Sequence, residues 1–494
     1  MRILYLDLDA MNPSHLSCYG YPRQTSPRLD AFAESARRFE EYYTSDAPCL
    51  PSRTAFYSGR FGIQTGVVGH GGSAAQPKVQ GKGRGFRDHF DDNGLARQLQ
   101  LLGCKTALIS SFGQRHAAWH FYAGFNEVHN TGRGGMEIAD DVTPLAEDWL
   151  DRQGKQDHWY LHVNYWDVHT PYRIPMGYGD PFADQPLPDW MTPAWKRFKL
   201  KAGPHSALDL GMYGDEAWEK YPRVPPRLDT AENLKRYIDA YDASIHYLDS
   251  HLGRLFDKLE ALGIVDDTHV IVSADHGECQ GDLGIYGEHG TADRGTCRIP
   301  MLFRGPGVQP GVDRDLHYHL DLAPTLMDLL GGSTPALWDG QSFHASLTEG
   351  APVGRDSLVL GQCAHVCQRS VRFGDHLYIR TYHDGFHGFP QEMLFDLASD
   401  PHEQINLSDQ RPERCREALA MLTNWHDAQM HRIAENANDA VDPLWTVIHE
   451  GGPFHAKAGC GGAPADLNDY VRRLTDTGRS APASLQRAAA RRDA

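Results

Sequence analysis

The chain has 494 residues, long enough for about three domains or for one large α/β core with an appendage. Lys and Arg number 48 against 65 Asp and Glu, a net charge of −17, which excludes a nonspecific nucleic-acid binder that needs a basic footprint. Hydrophobic residues make up 40% and charged residues 23%, so a largely disordered chain is excluded too. Apolar runs all fall short of the roughly 18–20 residues of a membrane span, so no membrane partner is expected.

Arg2–Leu8 is a nearly continuous apolar run and predicts a strand buried on both faces from the start of the chain. It shows no long apolar leader and no small-residue cleavage site, which sets the expectation of a cytoplasmic protein. Leu29, Phe32, Ala33 and Ala36 fall at helical spacing behind Pro27. Thr106–Ser110 and Trp159–Tyr165 predict further strands. From Leu234 to Leu259 apolar residues step by four and three, which predicts one long amphipathic helix closed by Gly263. Thr268–Ser273 then predicts another strand. This alternation points to a large, mostly parallel sheet flanked by helices, whose ligands sit beyond the carboxyl ends of the strands.

Residues 173–230 break the rhythm, being rich in Pro, Gly and Trp (Trp190, Trp195, Trp218), and read as an insertion over one face. After about residue 350 the elements shorten: Leu377–Thr381 and Met393–Leu397 predict strands of a smaller sheet, and Glu413–Arg432 a helix. The expected division is a catalytic α/β domain over 1–350, a small α+β subdomain over 351–433, and a partly flexible extension over 434–494. The nine cysteines are scattered, which speaks against a disulfide framework. Cys363, His365 and Cys367 suggest a metal, yet no second ligand pair follows at zinc spacing.

Three constellations carry chemistry. Asp7 and Asp9 alternate on one strand, so both carboxylates point to the same face. Asp275-His276-Gly277-Glu278 directly follows the strand that ends at Ser273, and an oxygen ligand beside an imidazole suits a divalent cation. Cys49-Leu50-Pro51-Ser52-Arg53 has Pro51 in a first helical turn. That places Cys49 at a helix N-terminus, where anions are favoured and a thiol pKa falls, with the Arg53 fork beside it.

CLPSR, followed by TAFYSGR, resembles the signature of the type I sulfatases of the alkaline phosphatase superfamily, with Ser58 standing where that family has Thr. The blocks HLSCYGYPRQTSPRLDAFAESARRFEEYYTS, NYWDVHTPY and MLFDLASDPHEQINLSD resemble the family as well, so the likeness spans roughly 1–430. The resemblance implies the alkaline-phosphatase-like fold with a smaller C-terminal α+β subdomain. It implies that a formylglycine-generating enzyme converts Cys49 to Cα-formylglycine, whose hydrate attacks the sulfur of a sulfate monoester. It also implies a divalent metal, Ca2+ before Mg2+ or Mn2+, as Lewis acid and template.

By the same resemblance Arg53 matches the arginine that stabilises the diol, and Asp275 and His276 match the metal pair. Asp9 matches the first of two adjacent aspartates; the second position is Ala10, and Asp7 is inferred to supply the missing oxygen. His169 matches a substrate-side histidine. His116 falls where the family orients the diol, with Arg115 and His120 competing for the place. His289 stands where the family has a lysine, with Arg294 as runner-up, and a histidine there would make activity pH-sensitive. Lys78, Lys82, Arg84 and Arg87 could extend a positive potential toward a polyanion, and the insertion tryptophans could stack on sugar rings.

The leading expectation is a sulfatase acting on a sulfated sugar or small oligosaccharide. A phosphonate monoester or phosphodiester hydrolase of the same superfamily is the alternative. A noncatalytic glycan-binding relative is the reading from another class. Oligomeric state is left open, a homodimer included.

Overall fold

The computed structural model describes residues 1–79, 89–210, 223–437, 439–453 and 467–492. Lys82, Arg84, Arg87 and Trp218 lie outside them. Fifteen strands occur among the described residues. In chain order they are β1 (Arg2–Leu8), β2 (Arg37–Tyr43), β3 (Asp46–Ala47), β4 (Lys105–Ile109), β5 (Glu127–His129), β6 (Trp159–Tyr165), β7 (Thr268–Ser273) and β8 (Cys279–Gln280). They continue as β9 (Tyr286–Glu288), β10 (Met301–Arg304), β11 (Gly311–Tyr318), β12 (Ser357–Gln362), β13 (Cys367–Phe373), β14 (His376–His383) and β15 (Glu392–Asp396).

Eight strands form the large sheet in the order β11-β2-β10-β7-β1-β6-β4-β5. Only β10 runs antiparallel to its neighbours; every other pair is parallel. β1 lies near the centre, paired with β6 through Arg2↔Trp159 to Leu8↔Tyr165 and with β7 through Arg2↔Thr268 to Asp7↔Ser273. These three strands bury almost every side chain, which is why they read as continuous apolar runs. β2, with the sequence RRFEEYY, carries its apolar residues only at intervals and was not legible as a strand.

Helices cover both faces. The 31-residue helix Ala231–Ala261 is capped by Thr230, whose side chain accepts from the Asn233 N–H. Its buried Asp239 and Asp242 bind Arg23, each at 2.8 Å, and Asp242 also meets His15 at 2.7 Å. That helix therefore pins the loop leaving β1.

The smaller sheet, in the order β15-β14-β13-β12-β3, lies under the helix Pro412–Asn436. It is not purely C-terminal. β3 pairs in parallel with β12 through Asp46↔Gly361 and Ala47↔Gln362, two residues before Cys49. The helices Leu467–Asp476 and Ala483–Arg492 pack on the insertion: Asp209 takes Tyr470 Oη at 3.0 Å and Arg479 at 2.6 Å. In the insertion itself Trp195 is buried and donates to the Leu228 carbonyl at 2.8 Å, and Trp190 stacks on His402 at 3.6 Å. Trp195 is thus packed into protein, whereas the half-buried Trp190 also lines a cavity with Arg294 and Arg298. Lys78 pairs with Asp439 at 2.7 Å.

Leu161 sits mid-strand in β6 with no exposed surface. Leu161→Ala is expected to lower the unfolding free energy by about 2–5 kcal/mol, read by urea denaturation, with the midpoint falling and the slope unchanged.

Candidate active site

The carboxyl ends of β1, β4, β6 and β7 bring together residues that are far apart in sequence. Asp9 follows β1, His116 follows β4, His169 follows β6, and Asp275 and His276 follow β7. The helix Cys49–Ser58 points its first turn at the same place, and all ten of its residues are buried. Ser52 fixes that helix to the β7 loop, its Oγ donating to the Asp275 carbonyl at 2.5 Å. Gly277 allows a close backbone approach: its N–H donates to the Thr296 carbonyl at 2.7 Å, and a Cβ there would lie 2.2 Å from the Gly295 oxygen.

Arg53 is the hub. Its guanidinium pairs with Asp7, with Asp9 at 2.8 Å and with Asp275 at 3.1 Å, and lies 4.6 Å from the Phe112 ring centroid. One positive charge thus faces three buried carboxylates. Asp7 Oδ1 and Asp9 Oδ1 have no hydrogen-bond partner. Buried carboxylates are normally paired or bound to metal. Ligand atoms of Asp9, Cys49, Asp275 and His276 all lie within 4.8 Å of one another. The charge deficit and the oxygen-rich donor set fit a hard divalent cation.

His276 suits the same role. Its Nδ1 donates to the Gly277 carbonyl at 2.8 Å, which leaves the Nε2 lone pair facing Cys49 Sγ at 3.0 Å. Burial pushes its pKa down to about 3, so the imidazole is neutral. Burial and the neighbouring Asp275 push the Asp9 acid well up. Burial acts the same way on Asp275, but Arg53, His276 and His289 bring that carboxyl below its ordinary value.

Cys49 behaves otherwise than its helix position suggested. Burial, Asp9 and Asp275 raise the thiol well above its ordinary range. Full desolvation beside two carboxylates outweighs the partial charge of one helix end. An unmodified Cys49 is therefore a poor thiolate nucleophile.

The other predicted residues separate into two groups. His169 and His289 join the cluster, with ring centroids 5.2 Å apart, and His289 lies tilted against His276, centroids 4.0 Å apart. His169 Nδ1 donates to the Thr170 carbonyl at 2.7 Å. His289 is held between two acids, Nδ1 to Glu278 at 3.2 Å and Nε2 to Glu288 at 3.0 Å. Burial lowers its pKa, but Glu288 and Glu278 outweigh that and raise it. His116 lines the mouth with an unpartnered Nε2, its pKa pushed down to about 3 by burial, and Arg115 stands exposed there over Trp166 at 5.1 Å.

His120 and Arg294 are not brought to the cluster. His120 sits on the flank of the Cys49–Ser58 helix, against Thr54 Oγ1 at 3.2 Å and the Phe90 ring at 4.7 Å. Arg294 faces a separate cavity of about 600 Å3, beside Arg298 and Trp190, and pairs with Glu41 at 3.6 Å. Asp7 meets Arg53 and His162 Nε2, the latter at 3.0 Å, and is not within the ring of Asp9, Cys49, Asp275 and His276. Only its Oδ1 is open.

Two residues escaped sequence reasoning. His162, on β6, links Asp7 to Tyr57, whose hydroxyl lies 2.9 Å from Nδ1. Strand alternation beside Asp7 was the available signal. His70 accepts the Leu50 N–H at 3.4 Å and lies 5.1 Å from the His116 ring. It sits in a Gly-rich loop with no periodicity, and nothing local marks it.

A buried carboxylate set short of counter-charge, an arginine and a helix-borne cysteine thus meet at the carboxyl ends of the strands, an arrangement suited to binding a divalent cation and an anionic group. The sulfatase family model matches residues 2–333. The chain belongs to the sulfatase family. It is 27% identical over 424 residues to a choline-sulfatase of Rhizobium meliloti, 78% of each chain being covered. It is 24% identical over 458 residues to an ulvan-active sulfatase of Formosa agariphila, covering 89% of this chain and 82% of that one. Among solved structures, an enzyme in complex with its substrate D-glucosamine-2-N,6-O-disulfate aligns with TM-score 0.69 and 18% identity over 87% of this chain and 98% of the other. A phosphonate monoester hydrolase from Silicibacter pomeroyi aligns with TM-score 0.66 and 19% identity, over 87% and 95%. The protein is a sulfatase, a hydrolase of sulfate monoesters, in the α/β fold of those structures.

Arg53→Ala leaves three buried carboxylates without their counter-charge. It is expected to destabilise the fold by about 3–5 kcal/mol and to cut kcat/KM at least on the order of 10²-fold, read by thermal denaturation and by initial rates on an aryl sulfate.

Proposed function

We propose that the protein removes sulfate from a sulfated sugar or short oligosaccharide, with Cys49 matured to formylglycine and a calcium ion at Asp9, Asp275 and His276. The observation that carries this reading is the charge deficit around Arg53, with its open carboxylate oxygens beside residue 49. Hydrated formylglycine supplies the attacking oxygen and the cation polarises the sulfate, once both are present. The sugar is supported by relatives and structural neighbours whose own substrates are ulvan and a glucosamine disulfate.

The chain's own residues then have defined tasks. Arg53 orients the group at position 49 and balances the carboxylates around it. Neutral His276 offers Nε2 to the cation. His289, flanked by Glu278 and Glu288, keeps its proton and positive charge to higher pH than a free histidine, and His169, its Nδ1 held by the Thr170 carbonyl, presents Nε2 beside it. Arg115 and His116 place donors at the mouth, which keeps an anion-attracting opening on an acidic protein.

Peptide mass spectrometry across Cys49, after coexpression with a formylglycine-generating enzyme, is expected to show the aldehyde. The matured enzyme is then expected to hydrolyse sugar sulfates and an aryl sulfate faster than choline sulfate or an aryl phosphonate. It should lose activity with chelator and regain it with calcium. Full activity with unmodified Cys49, or a preference for the phosphonate, would overturn the reading.

The raised pKa of His289 gives a pH dependence with a defined sign. Glu288 and Glu278 hold that proton to higher pH than on a free histidine, so activity is fully present below the ordinary histidine range and is lost as pH rises through the raised value. His289→Lys is expected to move this alkaline limb upward, measured as kcat/KM against pH.

A further inference from the structure

Three imidazoles converge on one carboxylate next to the catalytic cluster. His289 Nε2 lies 3.0 Å, His205 Nε2 3.2 Å and His365 Nε2 3.5 Å from Glu288. All four residues are buried. Ligand atoms of Glu288, His289 and His365 lie within 4.8 Å of one another, and His205 stands beside them. The residues come from three parts of the fold: the insertion, the end of β9 with the residue after it, and the loop between β12 and β13.

The arrangement is braced from outside. Gln362 Oε1 accepts the N–H groups of Ala364, His365 and Val366, and Gln362 Nε2 donates to the His289 carbonyl at 3.1 Å. One side chain thus locks the two loops that carry the imidazoles. Glu278 holds His289 Nδ1 at 3.2 Å, the carboxylate–histidine contact that orients a ligating ring and leaves Nε2 for the metal. Cys363 and Cys367 turn away into an apolar cluster with Val68, Ala74, Leu444 and Val447, so the CAHVC segment contributes only its histidine.

We propose that Glu288, His289 and His365 form a binding site for a transition-metal ion of the zinc class, with His205 as a fourth donor at its edge. The donor set is nitrogen-rich, whereas the neighbouring ring of Asp9, Asp275 and His276 is oxygen-rich, so the two sites select different ions. The sites adjoin through the His276–His289 contact at 4.0 Å. An ion on His289 Nε2 occupies a ring that the proposed reaction needs. Zinc is therefore an inhibitor of the enzyme, a consequence that rests on the sulfatase reading, while binding itself does not.

The test uses full-length protein carrying Cys49→Ala, which removes the thiol as a competing ligand. The protein is stripped of metal, saturated with calcium and dialysed against zinc. One zinc per chain is expected, with a cobalt derivative showing the intense visible bands of a tetrahedral site. Adding His365→Ala is expected to weaken zinc binding on the order of tenfold or more, with calcium binding unchanged. In protein whose Cys49 has been matured to formylglycine, His365→Ala should leave the zinc-free rate intact and relieve zinc inhibition. Absence of zinc binding, or equal affinity with and without His365, overturns the proposal. Formylglycine-bearing protein inactive on every sugar sulfate but binding zinc through His365 sinks the proposed sugar-sulfate reading and leaves the metal site standing.

Discussion

The Arg53 guanidinium among Asp7, Asp9 and Asp275 is the interaction on which the rest depends. Taking three carboxylates out of water costs several kcal/mol each unless charge and hydrogen bonds compensate. One arginine compensates part of that, and its own position is set by a buried helix and the Phe112 ring. The unbalanced remainder is what makes the place attractive to a cation. A structure held together only by apolar packing would have no reason to keep this deficit.

The scaffold exists to hold that deficit steady. β1 and β7 deliver the aspartates from two adjacent strands in fixed register, and β6 delivers His162 against Asp7. The smaller sheet takes part as well, because β3 anchors to β12 immediately before the Cys49 helix. Cys49 is thus clamped between two sheets. Ser52 closes the clamp by bonding to the backbone of Asp275 itself.

Desolvation also decides the protonation pattern. The same burial that drives His276 and His116 to neutrality raises the Cys49 thiol. His289 alone of these imidazoles is drawn the other way, because two glutamates flank it. On a chain of net charge −17, Arg53 is outnumbered by three carboxylates and His289 by two, so a cation at the open carboxylate oxygens is what would turn this place positive.

What the sequence determined by itself was whatever is written in local periodicity and contiguous motifs. β1, β6 and β7 were legible because strands buried on both faces are continuous apolar runs, and the long helix because its stripe repeats at 3.6 residues. CLPSR and Asp275-His276 were legible because their chemistry sits in adjacent residues. The tertiary structure alone decided which distant groups meet. It set His120 and Arg294 aside and brought in His162 and His70. It also showed that β3 belongs to the smaller sheet and that His365 reaches Glu288. Those contacts depend on strand order and loop packing, and the thiol of Cys49 on burial, none of which leaves a periodic trace along the chain.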